Sequence, residues 1–340
     1  MRHLITGGSG FLGNLIARRL LAAGETVRIL DVWEDPARAA AMEFVRCDVR
    51  DAEGVRRALE GVDIVHHNAA LVPLTKSGRE FASVNVEGSR TVAEQAAGRV
   101  RALVHMSSSA VYGSPECPIT AATPCRPIEI YGRAKLAGEL AVRAVCEKSG
   151  TALIVIRPRT ILGVGRLGIF QILFDWIAAG QSVYTIGRGE GRFQFVHADD
   201  LIDFYMLALR RERPGIYNVG TDRFGTLREA LENLVRYAGS AARVRSLPAG
   251  LTITALRALD AVGLSPLAPW HYLTYDKPFY FDVAPLLEMG WRPKYSNDDM
   301  FRESYDWFVA NRQAASESKG GSPHRRRVRE GVLWLLKKLG

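Results

Sequence analysis

Residues 4–13 read LITGGSGFLG, an apolar strand-like run broken by Gly7, Gly10 and Gly13 in a G-x-x-G-x-x-G spacing and leading into an amphipathic stretch, Leu12–Ala23. Glycines between a strand and a helix let the backbone turn tightly and approach a pyrophosphate, which the positive end of the helix favours. The turn, with Phe11 and Leu12 opening the helix, is therefore read as a dinucleotide-phosphate site. The next strand, TVRILD, ends at Asp31, where a carboxylate can accept hydrogen bonds from an adenosine ribose. Its charge repels a 2′-phosphate, so NAD is expected over NADP. After the third strand, Asp48 and Val49 of CDVRD are assigned to the adenine.

Working outward, the strand-like runs HLIT, TVRILD, EFVRCD, DIVHHNAA, RALVHMSS and ALIVIRP alternate with helical stretches Leu12–Ala23, Ala52–Glu60, Phe81–Ala97 and Ala134–Lys148. That rhythm predicts an α/β fold, a parallel sheet wound with helices on both faces. Residues 1–160 form its nucleotide-binding domain, and 161–310 a smaller, mainly substrate-binding region with helices at Ile169–Ala179, Ala198–Arg210 and Leu227–Ala238 and a short strand at GIYNVG. The segment Leu247–Tyr295 has no clean period and is read as irregular. Residues 311–323 read as a linker before a basic tail, 324–340.

That tail, HRRRVREGVLWLLKKLG, sets six basic residues against Glu330 and so holds over half of the net charge of +9. Val328, Val332, Leu335, Leu336 and Leu339 recur at helical spacing, which suits contact with an anionic membrane surface; the competing readings are packing on the body or on a second subunit, or a tail disordered in water. The body carries no basic stripe interleaved with aromatics, which argues against nucleic acid as a partner. Cys47, Cys117, Cys125 and Cys146 show no metal or disulfide spacing, so free thiols and no metal are expected. The chain opens on a strand and has no apolar run of about 20 residues. A cytoplasmic protein is expected, with peripheral contact at the inner face of the membrane through the tail.

Two further stretches carry chemistry. HMSSSAVYG follows the fifth strand, and IYGRAKLAGE places Tyr131 and Lys135 four apart on one helix face. A phenol of pKa near 10 is a poor base at neutral pH, and a neighbouring ammonium favours its phenolate. The phenolate can take the proton of an alcohol as hydride leaves the carbon, with a serine hydroxyl holding the substrate oxygen.

With these motifs the chain resembles the extended short-chain dehydrogenase/reductases, the NAD-dependent epimerase/dehydratase group. The likeness rests on TGGSGFLG, Asn68–Ala70 (NAA), VNVEGSR with Asn85, SSSAVYG, YGRAK, IRPRTILG and FVHADDL. It implies a Rossmann domain that binds NAD, with Ser108, Tyr131 and Lys135 as the catalytic set. Ser107 and Ser109 rank below Ser108. Asn68, Ala69, Ala70, Asn85, Ser107 and Arg157 join the cofactor contacts, as do Tyr131 and Lys135, with Lys135 at the nicotinamide ribose. The family also leads one to expect a homodimer.

The departures narrow the reaction. The family's 4,6-dehydratases carry an Asp–Glu pair just after the catalytic Ser or Thr, and here those positions are Ser109 and Ala110. Elimination of water needs an acid and a base there, so dehydration is disfavoured. Nucleotide-sugar members commonly have an Asn where this chain has Thr160, and an Arg where it has Phe193. Arg159, Arg166 and Arg192, with Ser109 and Thr160, remain candidate substrate contacts. His197 joins these candidate substrate contacts, although a structural role is preferred for it over that of a general acid, with Asp199 and Asp200 capping the next helix. The expected function is an NAD-dependent sugar 4-epimerase acting on a nucleotide sugar or lipid-linked sugar. The alternative is a hydroxysteroid-dehydrogenase-like oxidoreductase on an apolar alcohol or ketone.

Overall fold

The computed structural model describes residues 1–73, 77–166, 168–265 and 267–312; the predicted tail and most of the predicted linker lie outside these described residues. The chain forms two compact units interleaved in sequence. One comprises Met1–Gly113, Pro124–Pro158 and Leu201–Val219, and the other Ser114–Thr123, Arg159–Asp200 and the chain from Gly220 onward.

The first unit is built on seven strands: β1 (Arg2–Thr6), β2 (Thr26–Asp31), β3 (Glu43–Arg46), β4 (Ile64–His67), β5 (Ala102–Met106), β6 (Ala152–Pro158) and β10 (Gly215–Val219). Every pairing in this sheet is parallel and the order is β10-β6-β5-β4-β1-β2-β3. This is the doubly wound Rossmann arrangement, and the strand order reverses between β1 and β4. Ligands of such sheets bind where the order reverses, at the carboxyl ends of the strands. The helices are α1 (Phe11–Ala22), α2 (Ala52–Ala58), α3 (Glu80–Ala82), α4 (Ser89–Ala96) and α5 (Ile130–Ser149). Side chains of a strand alternate between faces. Leu4, Leu30, Val65 and Leu103 accordingly share one face, where Val55, Val92, Ala96 and Val142 from α2, α4 and α5 seal them from water.

The predicted helix Phe81–Ala97 is not continuous: a π-helical segment, Ser83–Gly88, separates α3 from α4. Asn85 lies in it and uses its side chain on the backbone of Leu71, Nδ2 donating to O (3.0 Å) and Oδ1 accepting from N (2.7 Å). Helix α5 also begins at Ile130, four residues before the predicted start.

Four histidines are buried in this sheet. His3 Nδ1 and His66 Nε2 lie 2.9 Å apart, and His66 Nδ1 is 2.6 Å from the Tyr205 hydroxyl. His67 sits between Thr6 Oγ1 and Ser89 Oγ, stacked 5.4 Å from His105. Burial lowers the pKa of His66, His67 (to about 3) and His105. A histidine depressed in the folded state contributes stability that is complete above its unfolded pKa near 6.5 and is lost as pH falls toward the folded value. Each adds a slope of up to about 1.4 kcal/mol per pH unit below about 6.5. We therefore expect the urea midpoint to drop between pH 7.5 and 5, and the drop to shrink in His105→Phe. A midpoint that does not move over that range would contradict the buried neutral histidines.

The second unit holds β7 (Thr160–Leu162) paired with β9 (Phe195–His197), and β8 (Val183–Ile186) paired with β11 (Val244–Leu247). Its helices are α6 (Phe170–Ala178), α8 (Leu227–Tyr237), α9 (Ala249–Ala261), α10 (Pro269–Thr274), α11 (Ala284–Glu288) and α12 (Asn297–Ala310). Helix α7 (Ala198–Arg210) carries the chain from this unit into the first. Phe170, Phe174, Phe195 and Phe301 pack edge to face in its core, with Phe170 and Phe301 5.1 Å apart. The segment Leu247–Tyr295 is not irregular throughout, since it contains α9, α10 and α11. The apolar residues of α9 are spread around the helix, Leu256 buried and Leu251 exposed, so no periodic stripe marks it in the sequence.

Candidate functional site

The glycine turn after β1 leaves no room for side chains. Gly7 has φ +68°, and a Cβ on it would stand 2.7 Å from Ala69 N at the end of β4. A Cβ on Gly13 would stand 2.2 Å from Gly7 O, so α1 can lie this close to the turn only with glycine there. Gly10 caps α1 without a side-chain hydrogen bond, and no acid occupies the first turn. The N–H groups there face outward with positive polarity, as an anion site requires. At the end of β2, Asp31 Oδ2 accepts from Ser9 N (3.1 Å) and Oδ1 from Trp33 N (3.2 Å), which ties the carboxylate to the glycine turn. Burial raises its pKa and these bonds oppose the rise. Ser9 Oγ and Asn68 Oδ1 are buried with no hydrogen-bond partner, two polar atoms beside the turn for a ligand to satisfy. The fit to a dinucleotide is good: a side-chain-free cradle, a helix terminus and a ribose acceptor. Asp48, assigned to the adenine, forms an ion pair with Arg50 (2.6 Å), and Val49 is buried.

The chemistry-bearing side chains come from β5 and α5. Glu129 caps α5, accepting from Tyr131 N (2.7 Å) and Gly132 N (2.5 Å), so the helix starts one residue ahead of Tyr131. Tyr131 is half-buried, its ring edge-on to Phe81 at 5.9 Å. One turn on, Lys135 is buried and donates from Nζ to Met106 O at the end of β5 (2.6 Å). Burial lowers its pKa to about 8 against the opposing pull of Glu139. At neutral pH it is still mostly a cation. Ser108 follows Met106 by two residues, half-buried and extended, its Oγ accepting from Ala110 N (3.1 Å) to start the 3₁₀ turn Ser109–Tyr112.

Tyr131, Lys135 and Glu139 form one stripe along α5, and the sequence reading omitted the third. Glu139 is wholly buried and accepts from Ser107 Oγ (2.6 Å) and from Arg157 Nε (3.0 Å) and Nη2 (2.5 Å). Arg157 Nη1 donates to the Tyr112 hydroxyl, which donates to Asn218 Oδ1. Ser107 and Arg157, predicted to face the cofactor, are thus engaged with Glu139 in the core. The signal available for Glu139 was its place at i+4 from Lys135.

In the second unit, His197 is buried, bonded to Glu303 Oε2 (2.7 Å) and stacked on Tyr295 (3.7 Å). Asp200 accepts from Lys294 N (2.9 Å) and Tyr295 N (3.0 Å), anchoring that loop as well as standing in the first turn of α7. Arg192 is exposed over Phe224 and Tyr280, Arg166 is half-buried, and Arg159 is buried at 1% exposure. Thr160 opens β7 half-buried, whereas Ser109 is buried in the first unit. Among the described residues, no group of three His, Cys, Asp or Glu is placed to hold a metal, and no helix is long and apolar enough to cross a membrane.

A doubly wound sheet with a glycine cradle at the strand reversal and a Tyr–Lys stripe beside β5 defines a dinucleotide-binding protein of the short-chain dehydrogenase/reductase kind. The sequence model of the NAD dependent epimerase/dehydratase family matches residues 3–220, and the chain belongs to that family. It is 40% identical over 336 residues to the uncharacterized protein y4nG of Sinorhizobium fredii, covering 98% of this chain and 85% of that one. It is 30% identical over 307 residues to a UDP-glucose 4-epimerase of Streptomyces lividans, covering 78% and 91%. The structure of the Thermus thermophilus UDP-glucose 4-epimerase in complex with NAD superposes with a TM-score of 0.72 at 28% identity, covering 91% and 99%. NAD is the cofactor of the family, and the cradle described above suits it.

Proposed function

We propose that this protein is a 4-epimerase of a nucleotide-linked or lipid-linked sugar. The observation that carries the reading is the 3₁₀ turn after Ser108, where Ser109 and Ala110 are both buried and neither can act as acid or base. Elimination needs such a pair and epimerisation does not. The likeness to 4-epimerases supports the same reading.

The chemistry NAD supplies when bound is reversible uptake of a hydride. The protein's part falls to three side chains. Ser108 holds the sugar oxygen by a hydrogen bond. Tyr131 removes and later restores the hydroxyl proton, and Lys135, fixed to Met106 O, favours its phenolate through charge. The glycine turn seats the pyrophosphate and Asp31 the adenosine ribose. Incubation with NAD and a panel of UDP-sugars and polyprenyl-diphosphate sugars tests this. Inversion at C4 without net NADH is expected, whereas stoichiometric NADH from an apolar alcohol with no sugar turnover would replace it with a simple dehydrogenase.

Asp31→Ala should weaken NAD binding about 10- to 100-fold, the worth of a charged hydrogen bond, while NADP affinity holds or improves. A variant that still strongly prefers NAD would show that another residue selects the cofactor. For residues 324–340 we propose contact with an anionic membrane surface. The full chain should float with anionic liposomes and a chain ending at Pro323 should not; equal flotation removes the tail from the account.

A further inference from the structure

In the second unit, helix α9 turns an apolar side to water. Leu251 is 75% exposed, Val262, just past its end, 67% and Leu264 58%. Thr254, Ala255, Ala258 and Ala261 are exposed between them. Helix α8 shows the ordinary pattern, with Leu227, Ala230, Leu231 and Leu234 buried while Glu229, Glu232 and Arg236 face water. In α9 Leu256 is buried, Ile253 and Leu259 are half-buried, and the water side is apolar as well. A single exposed leucine needs no explanation, but three large apolar side chains between residues 251 and 264 make a patch.

The charge around this patch has one sign. From Arg243 to Leu264 the exposed charged residues are Arg243, Arg245 and Arg257, and none is acidic. Asp260, the one acid of that stretch, is half-buried and accepts from the Tyr272 hydroxyl (3.4 Å). We infer that α9 and Leu264 form a contact face for an anionic lipid bilayer, in addition to the contact proposed for residues 324–340. Other occupants match the charge poorly. An isologous contact with a second copy would set the patch against itself and gather arginines with no exposed carboxylate of the patch to meet them. Segment 324–340 is itself basic. A bilayer surface supplies negative headgroups for the arginines and a shallow apolar layer for Leu251, Val262 and Leu264. One shallow contact gives weak, reversible attachment, and two on one chain give retention. Losing either releases the protein, so a chain ending at Pro323 is expected not to float although it keeps α9.

Binding alone tests the inference, without sugar or turnover, so it stands or falls separately from the proposed reaction. Cosedimentation of the full chain with phosphatidylglycerol/phosphatidylcholine vesicles should show Leu251→Ser/Val262→Ser partitioning about tenfold or more weakly than the wild type. Both sites are exposed, so the thermal midpoint and NAD affinity should not change. Arg257→Gln should weaken binding to these vesicles about fivefold and leave any binding to phosphatidylcholine alone unchanged. Hydrogen exchange of residues 249–264 in the wild-type chain locates the contact and needs no variant. Slower exchange that appears only with the anionic vesicles is expected. Slowing without vesicles that grows with protein concentration would give the face to a second copy. Slowing without vesicles that vanishes in full-length Leu335→Ser/Leu336→Ser would give it to the tail. Either result overturns the inference, as would equal partitioning of wild type and double variant, or a wild type that binds no vesicles.

Discussion

Tyr131→Phe should lower turnover by about a thousandfold or more, within the range that a positioned acid–base group contributes, while the NAD dissociation constant changes less than about twofold. The separation follows from the geometry. Glu129 fixes the start of α5 through the backbone N–H groups of Tyr131 and Gly132, which Phe retains. The Phe81 contact is to the ring, which Phe also retains. What is lost is the phenolic proton, and nothing in the glycine turn depends on it. Single-turnover measurements with saturating sugar nucleotide, alongside NAD titration, check both halves. Unchanged turnover would remove Tyr131 from the chemistry, and a large loss of NAD affinity would make it a cofactor contact first.

Glu139→Ala should destabilise the fold by about 3–5 kcal/mol, because it leaves the Arg157 guanidinium charged and unbalanced in the core. Arg157 is 2% exposed and Glu139 0%, so water cannot take the partner's place. Replacing both by leucine should recover most of the loss, since an apolar pair avoids the desolvation that the ion pair must offset. Urea unfolding of the two single variants and the double variant measures it. A Glu139→Ala cost under about 1 kcal/mol would mean that the pair is far better hydrated than the structure places it.

The parts of the site legible in the sequence are those with local causes. Gly7, Gly10 and Gly13 are dictated by a turn within ten residues, Asp31 by the end of the next strand, and Tyr131 and Lys135 by one helical turn. Glu139 shares that stripe and was readable by the same spacing, but its partner Arg157 comes from another strand. Arg159 gave no warning that the Phe193 and Phe279 rings would stand over its guanidinium, because both reach it from distant sequence. Helix α9 stayed hidden since its apolar residues follow no period. The final strand, β10, could be foreseen as a strand and not as a neighbour of β6, since that pairing depends on contacts made after the chain has traversed the second unit.

That last pairing decides what can be cut. A protein ended at residue 160 would contain every segment assigned to the cofactor, yet β6 would lose its neighbour along Ile154–Pro158, five consecutive buried residues. An apolar strand with an open hydrogen-bonding edge recruits other chains. The nucleotide-binding half should therefore aggregate when expressed alone up to residue 160, and stay soluble when Leu201–Val219 is grafted back behind it.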